Sequence, residues 1–321
     1  MTSSGSPDPE RTLLLSRALS DRGVPSFGFA SGERLAEILR GVPAGVAESY
    51  GLASARGVLA AALHYDTTGR PAGALDTDYF RGDEGKPLAA LGWFARAHWY
   101  RELAGILAAV SRIPGLASAG PPGAFRIAVN SRLPEKALAV AAGLGPLGRN
   151  TLVLERLAGP GCVLGVLLLP FEPDIPEGAR DPGSRPSDPE VPGSECGDCR
   201  ECVRACPTGA VREEGGIYRL RCLQHWAGSE GPVPERIAGS WRGSLYGCDL
   251  CLAACPRFRP DVPREASIGL LGRGLNPDRL LGAEDGEIRN LLRGTALGLS
   301  WLSPGLIRRN ARLARDSWER G

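Results

Sequence analysis

Eight of the nine cysteines in this chain form two matched groups in its second half. The first run, residues 196–207, has the spacing C-x2-C-x2-C-x3-C-P, and the second, residues 248–256, keeps three cysteines and the closing proline. Cys222 stands alone between the two runs. Four thiolates hold each [4Fe–4S] cluster, so eight cysteines suit two clusters. Each proline fixes φ and removes an N–H, which sharpens the exit from a cluster loop. The sequence therefore predicts two [4Fe–4S] clusters.

The spacing of the first run also predicts how the ligands are shared. In the bacterial pattern C-x2-C-x2-C-x3-C-P the fourth cysteine binds the other cluster. One predicted set is Cys196, Cys199, Cys202 and Cys255. The other predicted set is Cys206, Cys222, Cys248 and Cys251, with Cys222 replacing the cysteine that the second run lacks.

Two other readings of the cysteines fit less well. Disulfides need an oxidising compartment, and no signal peptide begins this sequence. Paired C-x2-C units suit zinc, but a third cysteine in the same register and the trailing proline do not. Cys162 lies in the apolar run 161–169, which predicts a buried structural thiol.

The composition of the chain indicates which classes of binding partner and which cellular compartment suit it. The net charge is only +2, from 38 basic and 36 acidic residues, which excludes a general electrostatic case for nucleic-acid binding but not a local patch. The first nine residues are polar and no stretch of 18 apolar residues occurs. We therefore expect a cytoplasmic protein.

Apolar periodicity predicts alternating helices and strands up to residue 170. The predicted helices cover 11–22, 31–39 with Ser31 as the N-cap, 88–111 and 133–142. The predicted strands cover 24–30, 57–64 and 125–129, with a β-hairpin formed by 151–155 and 162–169. This alternation predicts a mixed fold, α/β or α+β.

The remaining sequence divides by composition. We predict an α/β domain over 1–170, a Pro/Gly-rich linker over 171–195, a two-cluster domain over 196–260 and a helical segment over 261–321. A last helix should open with Ser303 as its cap and Pro304 in its first turn. Its arginines, at 308, 309, 312 and 315, indicate a solvated face in preference to a nucleic-acid contact.

A polar, glycine-rich block ends the first predicted domain. Residues 129–136 supply Asn, Ser, Glu and Lys, and residues 142–151 contain three glycines that permit close backbone approach to a ligand. The glycines form G-x-G-x-x-G, but a helix precedes them, so a dinucleotide site is not supported. A helix-to-strand turn explains the glycines equally well.

These motifs together resemble the epoxyqueuosine reductase family over about residues 10–315. The resemblance is carried by the double-cluster pattern, by Tyr246-Gly247-Cys248-Asp249-x-Cys251, and by the block from Glu135 to Arg149. It implies a ferredoxin-like cluster domain and a cobalamin cofactor held between that domain and the α/β domain. It also implies electrons passing from an external flavodoxin- or ferredoxin-type donor through the clusters to cobalt. In that family the reaction removes the epoxide oxygen of a modified tRNA base.

The resemblance also implies particular site residues. The catalytic candidates are Asn130, Glu135 and Tyr246. The cobalamin-side candidates are Tyr100, Ser131, Lys136, Gly143, Gly145, Gly148 and Arg149. Asn130 stands where the family has an aspartate that serves as proton donor, and an amide has no proton to give at a useful pKa.

Two further departures concern the substrate. Family members that act on tRNA usually continue into a helical-repeat tail, which this sequence lacks, and its segment 171–195 is longer than expected. We therefore expect a monomeric cobalamin-dependent reductase with a changed substrate, either a small molecule or a modified nucleoside. The alternatives are the true tRNA enzyme and an electron-transfer or corrinoid-reducing protein with no substrate of its own.

Overall fold

The structure, a computed structural model, describes residues 6–65, 87–121, 123–175, 191–260 and 268–319. Most of the predicted linker lies outside these ranges. Among the described residues, no helix is both long and apolar enough to span a bilayer. The chain contacts divide it into two compact units, the first comprising 1–64 and 100–197 and the second 65–99 and 198–321. The finer, four-part division predicted from the sequence stays a prediction.

The first unit is built on a four-stranded sheet with the order β1-β2-β5-β4. Its strands are β1 (Ser26–Ser31), β2 (Gly57–His64), β4 (Arg126–Val129) and β5 (Cys162–Leu169). Every neighbouring pair is antiparallel, and Ala61 of β2 faces Gly165 of β5. The mixed fold is therefore confirmed, and the antiparallel pairing makes this sheet α+β rather than parallel α/β.

Helices cover both faces of this sheet. They are α1 (Pro9–Ser20), α2 (Gly32–Leu39), α3 (Ala44–Ser49), α4 (Trp99–Ser111), α5 (Pro114–Ala117) and α6 (Glu135–Ala141). Leu35 of α2 and Leu138 of α6 share one core with Ala60 and Val166. On the other face Leu103 of α4 lies against Gly165. All eight residues of β2 are consequently buried, as its unbroken apolar sequence requires.

Most predicted elements of the first unit are confirmed within a few residues. Ser31 caps α2 by accepting a hydrogen bond from the Arg34 N–H at 3.3 Å. The predicted β-hairpin is wrong, because 151–155 forms no strand and makes only isolated bridges, from Val153 to Leu147 and from Glu155 to Gly159. The partners of β5 are instead β2 and β4, which come from distant parts of the chain.

The second unit contains a three-stranded sheet with the order β6-β3-β7. Its strands are β3 (Ala89–Leu91), β6 (Ser244–Tyr246) and β7 (Gly274–Leu275). The predicted long helix over 88–111 is therefore wrong. Its first third forms β3 and a 3₁₀ turn at Trp93–Ala95, and only Trp99–Ser111 is α-helical. Edge partners from residues 244 and 274 provide the hydrogen bonds of β3, and local periodicity cannot reveal them.

The helices of the second unit are short except the last. They are α7 (Glu201–Arg204), α8 (Leu223–Ala227), α9 (Glu235–Ala238), α10 (Leu250–Ala253), α11 (Pro277–Gly282), α12 (Asp285–Leu292) and α13 (Pro304–Glu319). Ser303 caps α13 as predicted, accepting from the Leu306 N–H at 3.0 Å. Asn310 of α13 is fully buried, and its amide donates to the carbonyls of Ala227 and Leu245, both at 2.9 Å. These bonds satisfy a polar group that would otherwise be costly to bury.

Arginine side chains of α13 form hydrogen bonds with other residues of the second unit. Arg309 donates to the carbonyls of Trp226, Ser229 and Gly231, each at 2.6–2.7 Å. Arg308 donates to the Ala283 carbonyl at 2.6 Å and to Asp285 at 2.7 Å. This half of the predicted arginine face therefore fastens the helix to its unit.

Candidate functional site

Four thiols gather in the second unit. The charge of Cys251 interacts with Cys248, Cys222, Cys206 and, more weakly, Cys202. The charge of Cys248 likewise interacts with Cys222 and Cys206. Cys206 and Cys222 thus lie near the first two cysteines of the second run, and Cys202 lies near Cys251 as well. The assignment of Cys206, Cys222, Cys248 and Cys251 to one ligand set stays a prediction. All nine cysteines lie in the described ranges and none forms a disulfide.

The surroundings of these thiols fit an iron–sulfur cluster. Burial and neighbouring thiols raise the pKa of Cys248 to about 11, and the same causes raise the pKa of Cys251. Bound iron would remove this penalty, since a coordinated thiol is deprotonated outright. At Cys206 burial acts in the same sense, but hydrogen bonds from Thr208 and backbone N–H groups lower its pKa overall. The Ala210 N–H donates to the Cys206 sulfur at 3.2 Å, the kind of bond that stabilises cluster ligands.

A zinc site and an iron–sulfur cluster need different spacings of their thiolates. Among the described residues, no three His, Cys, Asp or Glu side chains are close enough to hold one metal ion. Tetrahedral zinc bound at about 2.3 Å needs sulfur atoms within roughly 4 Å of one another. A cubane cluster binds each thiolate to a different iron atom, so its ligands stand further apart.

Cys196, the first cysteine of the first run, belongs to the first unit and contacts Arg149. The Arg149 N–H donates to the Cys196 sulfur at 3.4 Å, and its guanidinium donates to the Gly197 carbonyl at 2.8 Å. Arg149 is only 5 % exposed. Arg149 therefore supports the start of the first cluster run, and its cobalamin role, which the resemblance implies, stays a prediction. The ligand set of Cys196, Cys199, Cys202 and Cys255 stays a prediction.

The loop of the second run is fastened to the segment after β3. Asp249 accepts a hydrogen bond from the Trp93 N–H at 2.8 Å, and burial raises the pKa of this carboxyl. Gly247 has a φ of 105°, and a Cβ there would lie 2.6 Å from the Gly92 Cα. Trp93 also packs against Phe258, with ring centroids 4.8 Å apart. Sequence analysis missed these roles because the partners are about 150 residues apart.

The polar block of the first unit forms a tight loop before α6. Glu135 accepts a hydrogen bond from the Ser131 N–H at 2.7 Å, and the Ser131 hydroxyl accepts from the Leu133 N–H at 3.0 Å. Burial raises the pKa of Glu135, although hydrogen bonds from Ser131 and Asn130 oppose this shift. Asn130 is exposed and has a φ of 52°, in the left-handed region that asparagine tolerates. Glu135 therefore shapes the loop that presents Asn130.

The three glycines after α6 have different reasons to be glycine. A Cβ at Gly145 would lie 2.1 Å from the Leu154 carbonyl oxygen, and one at Gly148 would lie 2.9 Å from Asn150 Oδ1. The space beside these two glycines is filled by the protein itself, as in a tight turn after a helix, although no strand of the described residues directly follows this turn. Gly143 is exposed, and no atom lies within 4 Å of a Cβ built there. Thr151 has a φ of 62°, a strained conformation for a β-branched residue.

The other candidates fall in separate environments. Tyr246 is 6 % exposed in the second unit, and burial raises its pKa although hydrogen bonds from Trp301 and Gln224 oppose the shift. Tyr100 is half-buried in the first turn of α4, and Lys136 is exposed in the first turn of α6. Cys162 is half-buried at the start of β5, where it packs against the core of the first unit, and removal from water raises the pKa of its thiol. The sequence predicted a buried thiol, and the side chain is instead partly exposed.

Known proteins resemble this chain in the cluster region and also over most of its length. Residues 195–257 match the 4Fe-4S double cluster binding domain. An epoxyqueuosine reductase of Staphylococcus aureus is 29% identical over 263 residues, which is 74% of this chain and 62% of that protein. The chain is thus similar to epoxyqueuosine reductases over about three quarters of its length. It spans less than two thirds of the length of the curated relatives that it matches first.

Solved structures of epoxyqueuosine reductases share the fold. The enzyme from Streptococcus thermophilus superposes with a TM-score of 0.70 at 20% identity, covering 95% of this chain and 81% of that one. An epoxyqueuosine reductase bound to an epoxyqueuosine-modified tRNA-Tyr stem loop gives 0.64 at 23% identity, covering 96% and 81%. At these identities the likeness establishes the fold alone.

One buried polar cluster of the first unit was not predicted. Glu155 accepts hydrogen bonds from the Ser26 hydroxyl at 2.6 Å and from His64 Nε2 at 2.9 Å. The N–H groups of Leu157 and Ala158 also donate to this carboxylate. Burial acts to raise the pKa of Glu155, but these hydrogen bonds outweigh it and hold the pKa at about 2. No sequence motif signals this cluster, because its members come from β1, β2 and the turn before β5.

We expect Glu155→Gln to lower the free energy of unfolding by about 3 kcal/mol at neutral pH. This value follows from a carboxyl pKa lowered from 4.5 to about 2 in the folded state. Because the folded pKa is depressed, the contribution is complete above the unfolded pKa and disappears as the pH falls through the folded one. Urea unfolding at several pH values should show the two proteins converging in acid. The exposed Glu48→Gln is the control, and an equal loss there would contradict the assignment.

Proposed function

We propose that this chain is a cobalamin-dependent iron–sulfur reductase, in which electrons from an external donor reach the substrate through two [4Fe–4S] clusters and cobalt. The observation that carries the proposal is the gathering of Cys206, Cys222, Cys248 and Cys251 from three separate parts of the sequence. The names of the curated relatives support the same reaction class. Iron–sulfur clusters and unpaired thiols persist in reducing compartments, so we propose that the protein is cytoplasmic. We also propose that it is a monomer.

We propose that the loop 130–136 and the turn at Gly143 hold cobalamin. Gly143 leaves open space beside its backbone, and Lys136 is exposed on the neighbouring helix α6. Ser131 and Tyr100 complete the proposed set. Gly145 and Gly148 act indirectly, by allowing the turn to form. The left-handed residues Asn130 and Thr151 flank this region, and such strained residues cluster at ligand sites.

Anaerobic reconstitution with iron, sulfide and cobalamin tests the cofactor. We expect about one cobalamin and, from two clusters, about eight iron atoms per chain. Lys136→Ala should weaken cobalamin binding by about tenfold, the loss of a charged hydrogen-bonding contact of roughly 1.4 kcal/mol. Arg156→Ala, which removes an exposed cation elsewhere in the first unit, should bind as wild type does. A visible spectrum that cobalamin leaves unchanged would favour the electron-transfer protein instead.

We further propose that the substrate differs from epoxyqueuosine in tRNA. Asn130 replaces the acid that the family uses at this position, and its amide accepts and donates hydrogen bonds without delivering a proton. Glu135 is committed to the N–H groups of its own loop, and the Tyr246 oxygen is engaged by Trp301 and Gln224. Neither side chain is therefore a ready replacement for the missing acid.

Wild-type protein should accordingly leave epoxyqueuosine in tRNA unreduced, while Asn130→Asp gains measurable turnover. Aspartate tolerates the left-handed backbone at this position, so the loop should keep its shape. The readout is mass spectrometry of nucleosides from purified tRNA after incubation with reduced cobalamin. Asn130→Ala is the control, because it alters the loop without adding an acid.

The second candidate function is the unaltered tRNA enzyme. It is favoured by the curated relatives, which carry that name, and by the related structure that contains a tRNA stem loop. Robust turnover by the unmutated protein in the assay above would establish it. Glu135 or Tyr246 would then have to supply the proton.

A further inference from the structure

The segment around Cys222 carries an exposed apolar residue within an arginine-rich surface. Leu220 is 67% exposed, more than any other large apolar side chain of the described residues, and the nearby Tyr218 is 46% exposed. Both precede Cys222, which belongs to the ligand set gathered in the second unit. Trp226 Nε1 donates to the Leu220 carbonyl at 2.9 Å, which fixes this turn against α8. The exposed Leu220 side chain is therefore held two residues from Cys222, a predicted cluster ligand.

The charge of this surface is positive. Arg221 and Arg212 lie over the Tyr218 ring, at 4.6 Å and 5.3 Å from its centroid. Arg219 donates to His225 Nδ1 at 3.2 Å. No acidic residue occurs between positions 215 and 229.

The nearest acids in the sequence are already paired. Glu214 forms an ion pair with Arg212, and Glu213 lies 3.1 Å from Arg200. Arg219 and Arg221 have no carboxylate partner among these, so they leave net positive charge around Leu220. Such a surface complements an acidic protein.

We propose that Tyr218, Arg219, Leu220 and Arg221 form the docking surface for a small acidic electron-carrier protein. This inference rests on the proposed electron path. One electron leaves the reduced carrier, which is oxidised, and enters the cluster of Cys206, Cys222, Cys248 and Cys251, with no bond or proton transferred. Electron-transfer interfaces are small, and opposite charges bring the two partners together. The surface proposed here has both features, because the exposed apolar Leu220 stands between two arginines in the chain.

An RNA partner fits this surface less well. Proteins that bind single-stranded RNA stack bases on exposed aromatic faces. Here two guanidinium groups already lie over the Tyr218 ring, so a base would have to displace them. Leu220, the most exposed side chain of the surface, offers a nucleic acid neither charge nor a π face.

Stopped-flow reduction of the reconstituted full-length protein by reduced flavodoxin tests the proposal. The wild-type second-order rate constant should fall as salt is added, because steering between opposite charges is screened. The double variant Arg219→Glu/Arg221→Glu should lower that constant by at least tenfold at low salt, and Leu220→Ser should lower it by several-fold. Arg236→Glu reverses a single charge on α9, and it should leave the constant unchanged.

Two further measurements keep the outcomes separate. Dithionite needs no docking surface, so it should reduce every variant to the same extent and show that the clusters are intact. Wild-type rates for both the double variant and Leu220→Ser would overturn the proposal, as would a loss of tRNA affinity with an unchanged flavodoxin rate. Reduction by flavodoxin or by dithionite involves neither cobalamin nor substrate, so failure of the proposed function would appear only in the turnover assay.

Discussion

Replacing Cys222 with serine should lower the iron content of the reconstituted protein from about eight to about four atoms per chain, since one of two four-iron clusters is lost. The reason is that Cys222 completes a set of four thiols whose other members come from the two cysteine runs. Cys248→Ser removes a second ligand of the same set, so it should give the same iron content. EPR of the reduced proteins should show the same remaining cluster in both variants.

Cys162→Ser is the matched control for this experiment. Cys162 is half-buried at the start of β5 in the first unit and belongs to neither predicted ligand set. The variant should keep both clusters, with any loss confined to stability. Two intact EPR signals in Cys222→Ser would show that our crossed assignment of ligands is wrong.

Gly247→Ala should prevent the second cysteine run from adopting its native loop. The added Cβ would lie 2.6 Å from the Gly92 Cα and 2.7 Å from the Gly92 nitrogen, and neither backbone atom can move without breaking the Gly92 N–H bond to the Tyr246 carbonyl. The φ of 105° adds strain for any residue with a side chain. We expect a loss of about 3 kcal/mol or more in the free energy of unfolding. Urea unfolding and iron content would measure it.

Gly209→Ala is the control that measures backbone strain without the steric clash expected in Gly247→Ala. Gly209 lies three residues after Cys206 and has a φ of 60°, but apart from its chain neighbours none of the described residues has an atom within 4 Å of a Cβ built there. This variant should lose only the left-handed penalty of about 1–2 kcal/mol and should keep both clusters. Equal losses in the two variants would mean that the contact with Gly92 does not matter.

Local sequence signals predicted the elements whose signal lies within one stretch of the chain. The apolar run of β2 and the Ser31 cap of α2 are confirmed because each signal is carried by neighbouring residues, although β2 also needs β1 and β5 to complete its hydrogen bonds. The predicted helix over 88–111 failed at its start because strands near residues 244 and 274 give Ala89–Leu91 hydrogen bonds that a helix would otherwise supply. The predicted hairpin failed for the same reason, since β5 pairs with β2 and β4.

In the candidate site, too, some features followed from local sequence and others only from tertiary contacts. The sequence allows the glycines at 143, 145 and 148 to be either a ligand-binding group or a turn, and the structure separates them, because Leu154 and Asn150 occupy the space beside Gly145 and Gly148 while the space beside Gly143 is open. The buried hydrogen bonds of Glu155 had no sequence signal, since charged residues are rarely buried and its partners lie 91 and 129 residues away.

The sequence alone determined that this protein carries two cysteine runs with cluster spacing, because ligands three or four residues apart are set by the local chain. Only the tertiary structure decided which thiols meet. Cys222 joins Cys206, Cys248 and Cys251 because the second unit folds its separate loops together, with Asp249 binding Trp93 and Gly247 packing on Gly92. Such contacts join residues about 150 positions apart, and no local pattern records them.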